Sequence, residues 1–535
     1  MIRVLSDFVA AMLLIVGAGA AEELDESAIE RFESLRDHPV GINTAGRSRL
    51  LACGLFSAYQ VASLCDYRAS NGDVLSITEL GLVDGFNPEL AEALSHFISL
   101  ESYRAAGQRP RKRLNQSLML QGTGRWKDSS FTYKAGAKYS LHWGETAEFY
   151  WSGKYQDGLP GSFSLALYGK RGSKLVLGDF NARFGQGLIL WSGLSLSGVP
   201  TEAAMKRNGT GLAPTGSYSP LFRGCGWGLS RGRFALDAAV AFPGLRDFCN
   251  GNSSEDIGAM GILAASYLGR RLSLGVQGYV QSGAIIKSSS ENVLGVKAAA
   301  GSFDWKLGFG RFLFYGEGAM SLSRSLTAWN TIYSKDDTFY KASSAWAFAG
   351  VAGLKWSPAY RRSITLLARH YPVDFACDYS GAVRSASKVR DESGVSLGTR
   401  LGAFGLTLDG AVHPVAEKAS AKAVVQFAPS FSLGSRAGLQ PSVRYSVRVS
   451  GSGFSGSGAF SDGVSWRHDG RVDLRASLGS WQCNARYNAV YCKELAHLGY
   501  LETGYKRERF QVFVRGTIFN VANWDDRIYC YQRDT

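Results

Sequence analysis

Residues 131–143 alternate between apolar and polar side chains without a break, and the same period of two returns along the rest of the chain. Phe131, Tyr133, Ala135, Ala137, Tyr139, Leu141 and Trp143 alternate with Thr132, Lys134, Gly136, Lys138, Ser140 and His142. Phe149, Trp151 and Tyr155 stand against Glu148, Ser152, Lys154 and Gln156. Further on, Val443, Tyr445, Val447 and Val449 oppose Ser442, Arg444, Ser446 and Arg448. Val472, Leu474, Ala476 and Leu478 face away from Arg471, Asp473, Arg475 and Ser477, and Trp481, Ala485, Tyr487 and Tyr491 from Gln482, Asn484, Arg486 and Asn488. Successive side chains of a β-strand point to opposite faces, so these runs are strands with one apolar and one polar face.

A soluble sandwich alternates too. Three features favour a membrane barrel: aromatics on the apolar phase fall near segment ends, segments reach about ten residues, and no helical interruption follows residue 114. The 29 Phe, 24 Tyr and 12 Trp suit a sheet-rich chain, and 13 Pro are too few for a disordered or collagen-like one. Past the N-terminus no apolar run reaches the roughly 18 residues of a spanning helix. Without helices, only a closed sheet pairs every backbone group in lipid. The expectation is a mainly β fold: a large antiparallel transmembrane barrel of roughly 20–24 strands, preceded by a small all-α domain. Ser450–Gly458, rich in Gly and Ser, suits a loop at one rim.

Arg3, the apolar run Val9–Gly19 and the small-x-small triplet Ala18-Gly19-Ala20 compose a secretory signal peptide, residues 1–21. Charge then divides the mature chain. Residues 22–107 hold 14 acidic and 6 basic residues, whereas residues 108–535 hold 30 acidic and 52 basic ones. The basic run Arg109-Pro-Arg-Lys-Arg113 marks the seam. Expected domains are therefore an acidic periplasmic domain at 22–107, a linker at 108–113 and an outer-membrane barrel at 114–535.

Within the acidic part, Asn43 is placed to cap a helix carrying Leu50 and Leu51, and Ser57 to cap a second with Val61, Leu64 and Cys65 on its apolar face. Asn71-Gly72 stops that helix. Ser76 with Glu79 forms a capping box, and Asn87-Pro88 opens a fourth helix carrying Leu90, Leu94 and Phe97. Ile42-Asn-Thr-Ala45, Leu50-Leu51, Asp66-Tyr-Arg68, Asn71-Gly72, Ser76–Leu80, Val83–Phe86 and Phe97-Ile98 resemble a tandem helix-hairpin-helix domain. Such domains occur in competence-type DNA receptors and in exported Bacteroidetes proteins. The resemblance implies DNA binding at hairpins Gly54-Leu55-Phe56 and Gly85-Phe86-Asn87. Each lacks a second glycine, neither is followed by Lys or Arg within a helix turn, and the domain's acidity opposes phosphate binding.

Leu175–Trp191 and Phe519–Tyr531 also resemble segments of Bacteroidetes barrels that carry this domain. Gly185-Gln-Gly187 has no following Lys and is not a phosphate loop; glycines here imply a bulge or a close backbone approach. Family members continue for several strands past Asp526-Arg-Ile-Tyr529, so closure with fewer strands and a shortened product are both open.

Seven histidines are scattered, with no HExxH and no Gly-x-Ser-x-Gly. His142 with Glu145, and His468 with Asp469, read as rim chemistry rather than catalytic pairs. The eight cysteines match neither a zinc site nor a CxxC pair. No enzyme, cofactor or metal is expected. The polar phase carries Lys134, Lys138, Lys154, Arg444, Arg448, Arg471, Arg475 and Arg486, which predicts a basic lumen and an anionic solute. Expected partners are outer-membrane lipid and a periplasmic or envelope protein. The leading expectation is a channel or envelope-assembly barrel whose helical domain serves as plug or docking module; the alternative is a DNA-binding or DNA-uptake protein.

Overall fold

The computed structural model describes residues 35, 39–86, 88–101, 114–127, 130–154, 161–169, 172–192, 202, 205–207, 209–218, 220–243, 245, 258–269, 271–288, 291–323, 346–359, 362–375, 377–429, 431–433, 437–453, 463–507, 510–528 and 530. The expected signal peptide and basic linker, and hairpin residue Asn87, lie outside them.

Near the N-terminus, β1 (Val40–Gly41) runs parallel to β2 (Ile98–Ser99) and ties together the ends of a helical unit. Between them lie α1 (Arg47–Ala52), α2 (Ala58–Asn71), α3 (Ile77–Leu80) and α4 (Pro88–Leu94). Val40, Ile42, Leu50, Val61, Leu64, Leu80, Leu94 and Phe97 form its core. Ser57 and Gln60 complete a capping box on α2, which ends at Gly72 (φ +93). Two expectations need correction. The residue before α1 is Gly46, without a side-chain cap. Asn43 instead ties loops together, donating to the Val74 and Leu100 carbonyls and accepting from Val74 N. At α3, Ser76 accepts from Glu79 N, but the Glu79 carboxylate accepts from Leu75 N and the Tyr67 hydroxyl instead of closing the box.

The rest is a closed barrel. It begins with β3 (Leu114–Lys127), β4 (Ser130–Trp143), β5 (Ala147–Lys154), β6 (Ser162–Tyr168), β7 (Ser173–Arg183), β8 (Gly211–Pro214) and β9 (Phe222–Arg231), and ends with Phe510–Asn520. Every registered barrel pair is antiparallel. Of the 23 described strands in the ring order, β8 and Phe431–Leu433 are bypassed by direct pairings of their neighbours, which leaves 21 around the circumference. An odd number makes β3 and Phe510–Asn520 run the same way where they meet. The Arg125 guanidinium 5.8 Å over the Phe519 ring joins the far ends of both strands, consistent with that direction.

The two rims differ. One is built of tight turns in which Gly232, Gly310, Gly402 and Gly479 take φ between +57° and +63°, as two-residue hairpins require. The other carries the long connections, 184–221 and 372–391 among them. Outward faces are apolar: Phe131, Phe234, Phe303, Phe348, Val443, Val472 and Val514 are exposed, while polar partners such as Asp473, Asn488 and Glu502 are buried. Aromatic pairs Phe234–Tyr267, Phe312–Trp356 and Trp481–Tyr505 flank the tight turns, like an interfacial girdle. The chain is thus a large antiparallel transmembrane β-barrel preceded by a small helical unit.

Candidate functional site

A barrel this wide encloses more space than its wall side chains fill. Two connections from the long-loop rim fold into it. After β7, Gly185 (φ +56) and Gly187 (φ +86) turn the chain inward, and a Cβ on Gly185 would meet Glu317 Oε2 at 2.7 Å. Glu317, on the strand Phe312–Ser323, accepts from Gln186 N at 2.6 Å and Leu188 N at 3.1 Å. Its other oxygen accepts from Ser302 Oγ at 2.6 Å and Gln277 Nε2 at 3.0 Å. The second inward segment joins the first: Trp191 N donates to Tyr379 O, and Gly381 N and Ser380 Oγ to Gly187 O. Leu188, Ile189, Leu190, Phe375 and Val383 are buried with Phe180 and Phe222 of the wall.

The first inward segment continues toward the tight-turn rim. Glu202 accepts from Lys355 Nζ and Thr365 Oγ1, the Tyr315 hydroxyl donates to Met205 O, and Lys174 Nζ donates to Leu212 O. Several charges on this half of the wall are matched. Arg369 is bound by Glu392 and Asp409, Arg223 by Asp179, and Lys174 by Asp237.

The helical unit sits on the tight-turn rim. Arg49 Nη2 lies 2.6 Å from Glu148 Oε1, and its Nε lies 3.4 Å from Glu145. Gly41 N donates to Glu145, Ser48 Oγ to the Gly172 carbonyl, and Tyr168 hydroxyl to Glu148. Burial alone would lower the Arg49 guanidinium, but Glu148, Tyr168 and Glu145 outweigh it and hold the group above the ordinary arginine value. α1 also touches β7, β8 and β9, so the helical unit meets the first inward segment below the lumen. His142 faces Glu148, 3.4 Å away, because the β4–β5 register places these two opposite each other. Its sequence neighbour Glu145 serves the helical unit instead.

The basic residues singled out in the sequence fall into three groups. Lys134 is exposed near the end of β4. Lys138 and Lys154 lie 4.4 and 4.7 Å over the Tyr218 ring, a residue of the first inward segment. Arg444, Arg448, Arg471, Arg475 and Arg486 share one wall, on the same phase as buried Ser446, Asp473 and Asn488. Asp473 accepts from both Arg471 and Arg486. Lys422 and Arg467 belong to this wall and were missed; both lie in phase with its other members, in runs where the alternation was not followed. Arg515 was also missed, beside Glu502 at 2.7 Å and over Tyr500. Among the described residues no three His, Cys, Asp or Glu side chains gather as a metal site.

No protein-family model matches the sequence, and no curated protein matches it. Among solved structures it is similar to Pseudomonas aeruginosa OccK3 (OpdO), at 10% identity over 76% of this chain and 94% of that one, with TM-score 0.33. It is similar to Escherichia coli Wzi, an outer membrane protein involved in group 1 capsule assembly and a carbohydrate-binding β-barrel, at 11% identity over 63% and 80%, TM-score 0.32. The P pilus usher (PapC) translocation pore matches at 9% identity over 76% and 96%, TM-score 0.31. At such TM-scores the fold rests on the chain's own strand pairings.

Proposed function

We propose that this chain is an outer-membrane channel in which anionic solutes pass along the arginine wall, past a lumen half filled by its own inward segments. The carrying observation is the contrast between the two halves. Beneath the inward segments Arg369, Arg223 and Lys174 each have a carboxylate partner. On strands Lys418–Phe427, Ala437–Ser452, Val464–Leu478 and Trp481–Tyr491 there are eight Lys and Arg against two Asp. Such charges are costly in lipid, by about 2–4 kcal/mol at the midplane, and rings of Arg and Lys favour anions. Short turns face the periplasm in outer-membrane barrels, which supports a periplasmic position for the helical unit.

There the helical unit acts as a docking module and lower closure. DNA binding has less support. Its hairpins pack on each other, with the Phe56 and Phe86 rings 6.0 Å apart edge to face and Leu55 buried. Gln60 Nε2 donates to the Gly85 carbonyl, Tyr59 donates to Asp84, and Arg47 and Arg49 are buried.

The test is reversal potential. Full-length protein in planar bilayers under a KCl gradient should prefer chloride, and R471E combined with R448E should weaken or invert that preference. Cation selectivity of the unmodified protein would overturn the channel's proposed polarity.

A further inference from the structure

The strand register arranges the basic wall in rows. Lys422 pairs across with Arg448, and Arg448 with Arg467, whose guanidinium also donates to the Asp525 and Arg527 carbonyls. Four residues along, Arg444 stands directly opposite Arg471, flanked by Gln426 and Asn488. Four further, Arg475 stands between Gln440 and Asn484. Like charges directly opposite on one sheet face are destabilising, so stability does not account for these pairs. Asp473, shared by Arg471 and Arg486, and Asp469 lie between the rows and leave the excess positive.

We infer that this wall is a three-station site for one extended linear polyanion carrying carboxylate groups, such as an acidic polysaccharide; the inference rests on the anion-channel reading above. Three observations converge. At about 3.4 Å per residue, Arg467, Arg471 and Arg475 are spaced by about 14 Å, and the ladder spans about 27 Å along its strand. On a strand tilted by about 35–45° that covers roughly 20 Å of the about 30 Å depth of the hydrocarbon core, far longer than one small anion needs. The cations are almost all arginines, whose planar forks take oxyanions in a bidentate way that halide conduction does not require. The inward segments anchor on β4 to β7 and on strands from Leu272–Ser288 to Phe404–His413, leaving a slot along this wall, where Arg448 is exposed and Arg444, Arg471 and Arg475 are half-exposed. A slot with regularly repeated cations suits an extended chain.

Stations engaged by one molecule act at high effective concentration, so affinity should climb steeply with ligand length. Full-length protein is placed in planar bilayers in KCl, and galacturonate, its trimer and its heptamer are titrated as blockers of the chloride current. The half-blocking concentration should fall at least a hundredfold from monomer to heptamer, more than the sevenfold gain in carboxylates. R448Q should narrow that gap at least tenfold. Block that scales only with carboxylate number, or a gap unchanged in R448Q, would overturn the polyanion site while chloride preference still upheld the channel. Cation preference in the same recordings would overturn both.

Discussion

Gly85 sits at φ +87, and a Cβ there would come within 2.8 Å of Tyr59 Cε1. A valine would carry backbone strain on the order of 1–3 kcal/mol as well as that clash. We expect G85V to loosen the helical unit, seen as lost amide-exchange protection across residues 39–100; unchanged protection would contradict it. This hairpin glycine was visible in the sequence, and so was the Ser57 cap. What side chains do at a distance was not. Asn43 had the right chemistry to cap a helix, yet bridges residues 74 and 100. His142 had an acid three residues away, yet faces one across a strand pair. Local spacing identifies residues that can bond; the register and the tertiary approach choose the partner.

At the scale of elements, alternation revealed the strands because each has lipid on one side and polar surroundings on the other. It failed for Leu188-Ile-Leu190. Those residues continue the apolar pattern of β7 but are buried inside the barrel, and an apolar run has the same appearance whether it faces lipid or a filled lumen. The contact between helical unit and barrel was equally hidden, since Arg49 meets Glu148 only after both domains have folded. Glu148 is 3% exposed, and removing one partner of a buried ion pair costs about 3–5 kcal/mol because the other charge is stranded. R49A should therefore release the helical unit, which limited proteolysis of outer-membrane vesicles opened to the periplasmic face would detect. R49A/E148Q should recover part of the protection. If R49A resists protease as the unmodified protein does, Arg49 does not hold the unit in place.

For the whole molecule, a ring of 21 strands among the described residues joins two halves with different interiors. One half is packed: inward segments fill it, and Arg369, Arg223 and Lys174 are paired within the wall. The other carries eight Lys and Arg against two Asp on four neighbouring strands. If the second inward segment closes part of the conduit, shortening it should change conductance without changing the wall's charge. Tyr371 and Glu392 are direct cross-strand partners, so a tight hairpin can join their strands once residues 374–389 are removed. The deletion takes away Phe375, Tyr379 and Val383 from the buried cluster and frees Gly187 O from its bonds to Ser380 and Gly381. The first inward segment keeps its hold on Glu317, so the lumen should open partly. We expect single-channel conductance to rise severalfold while the reversal potential stays on the chloride side, because Arg444, Arg448 and Arg471 remain. Unchanged conductance in a folded, heat-modifiable variant would mean that the passage runs clear of this segment. A shift toward cations would mean that the segment's own Arg384, and not the arginine wall, sets the selectivity.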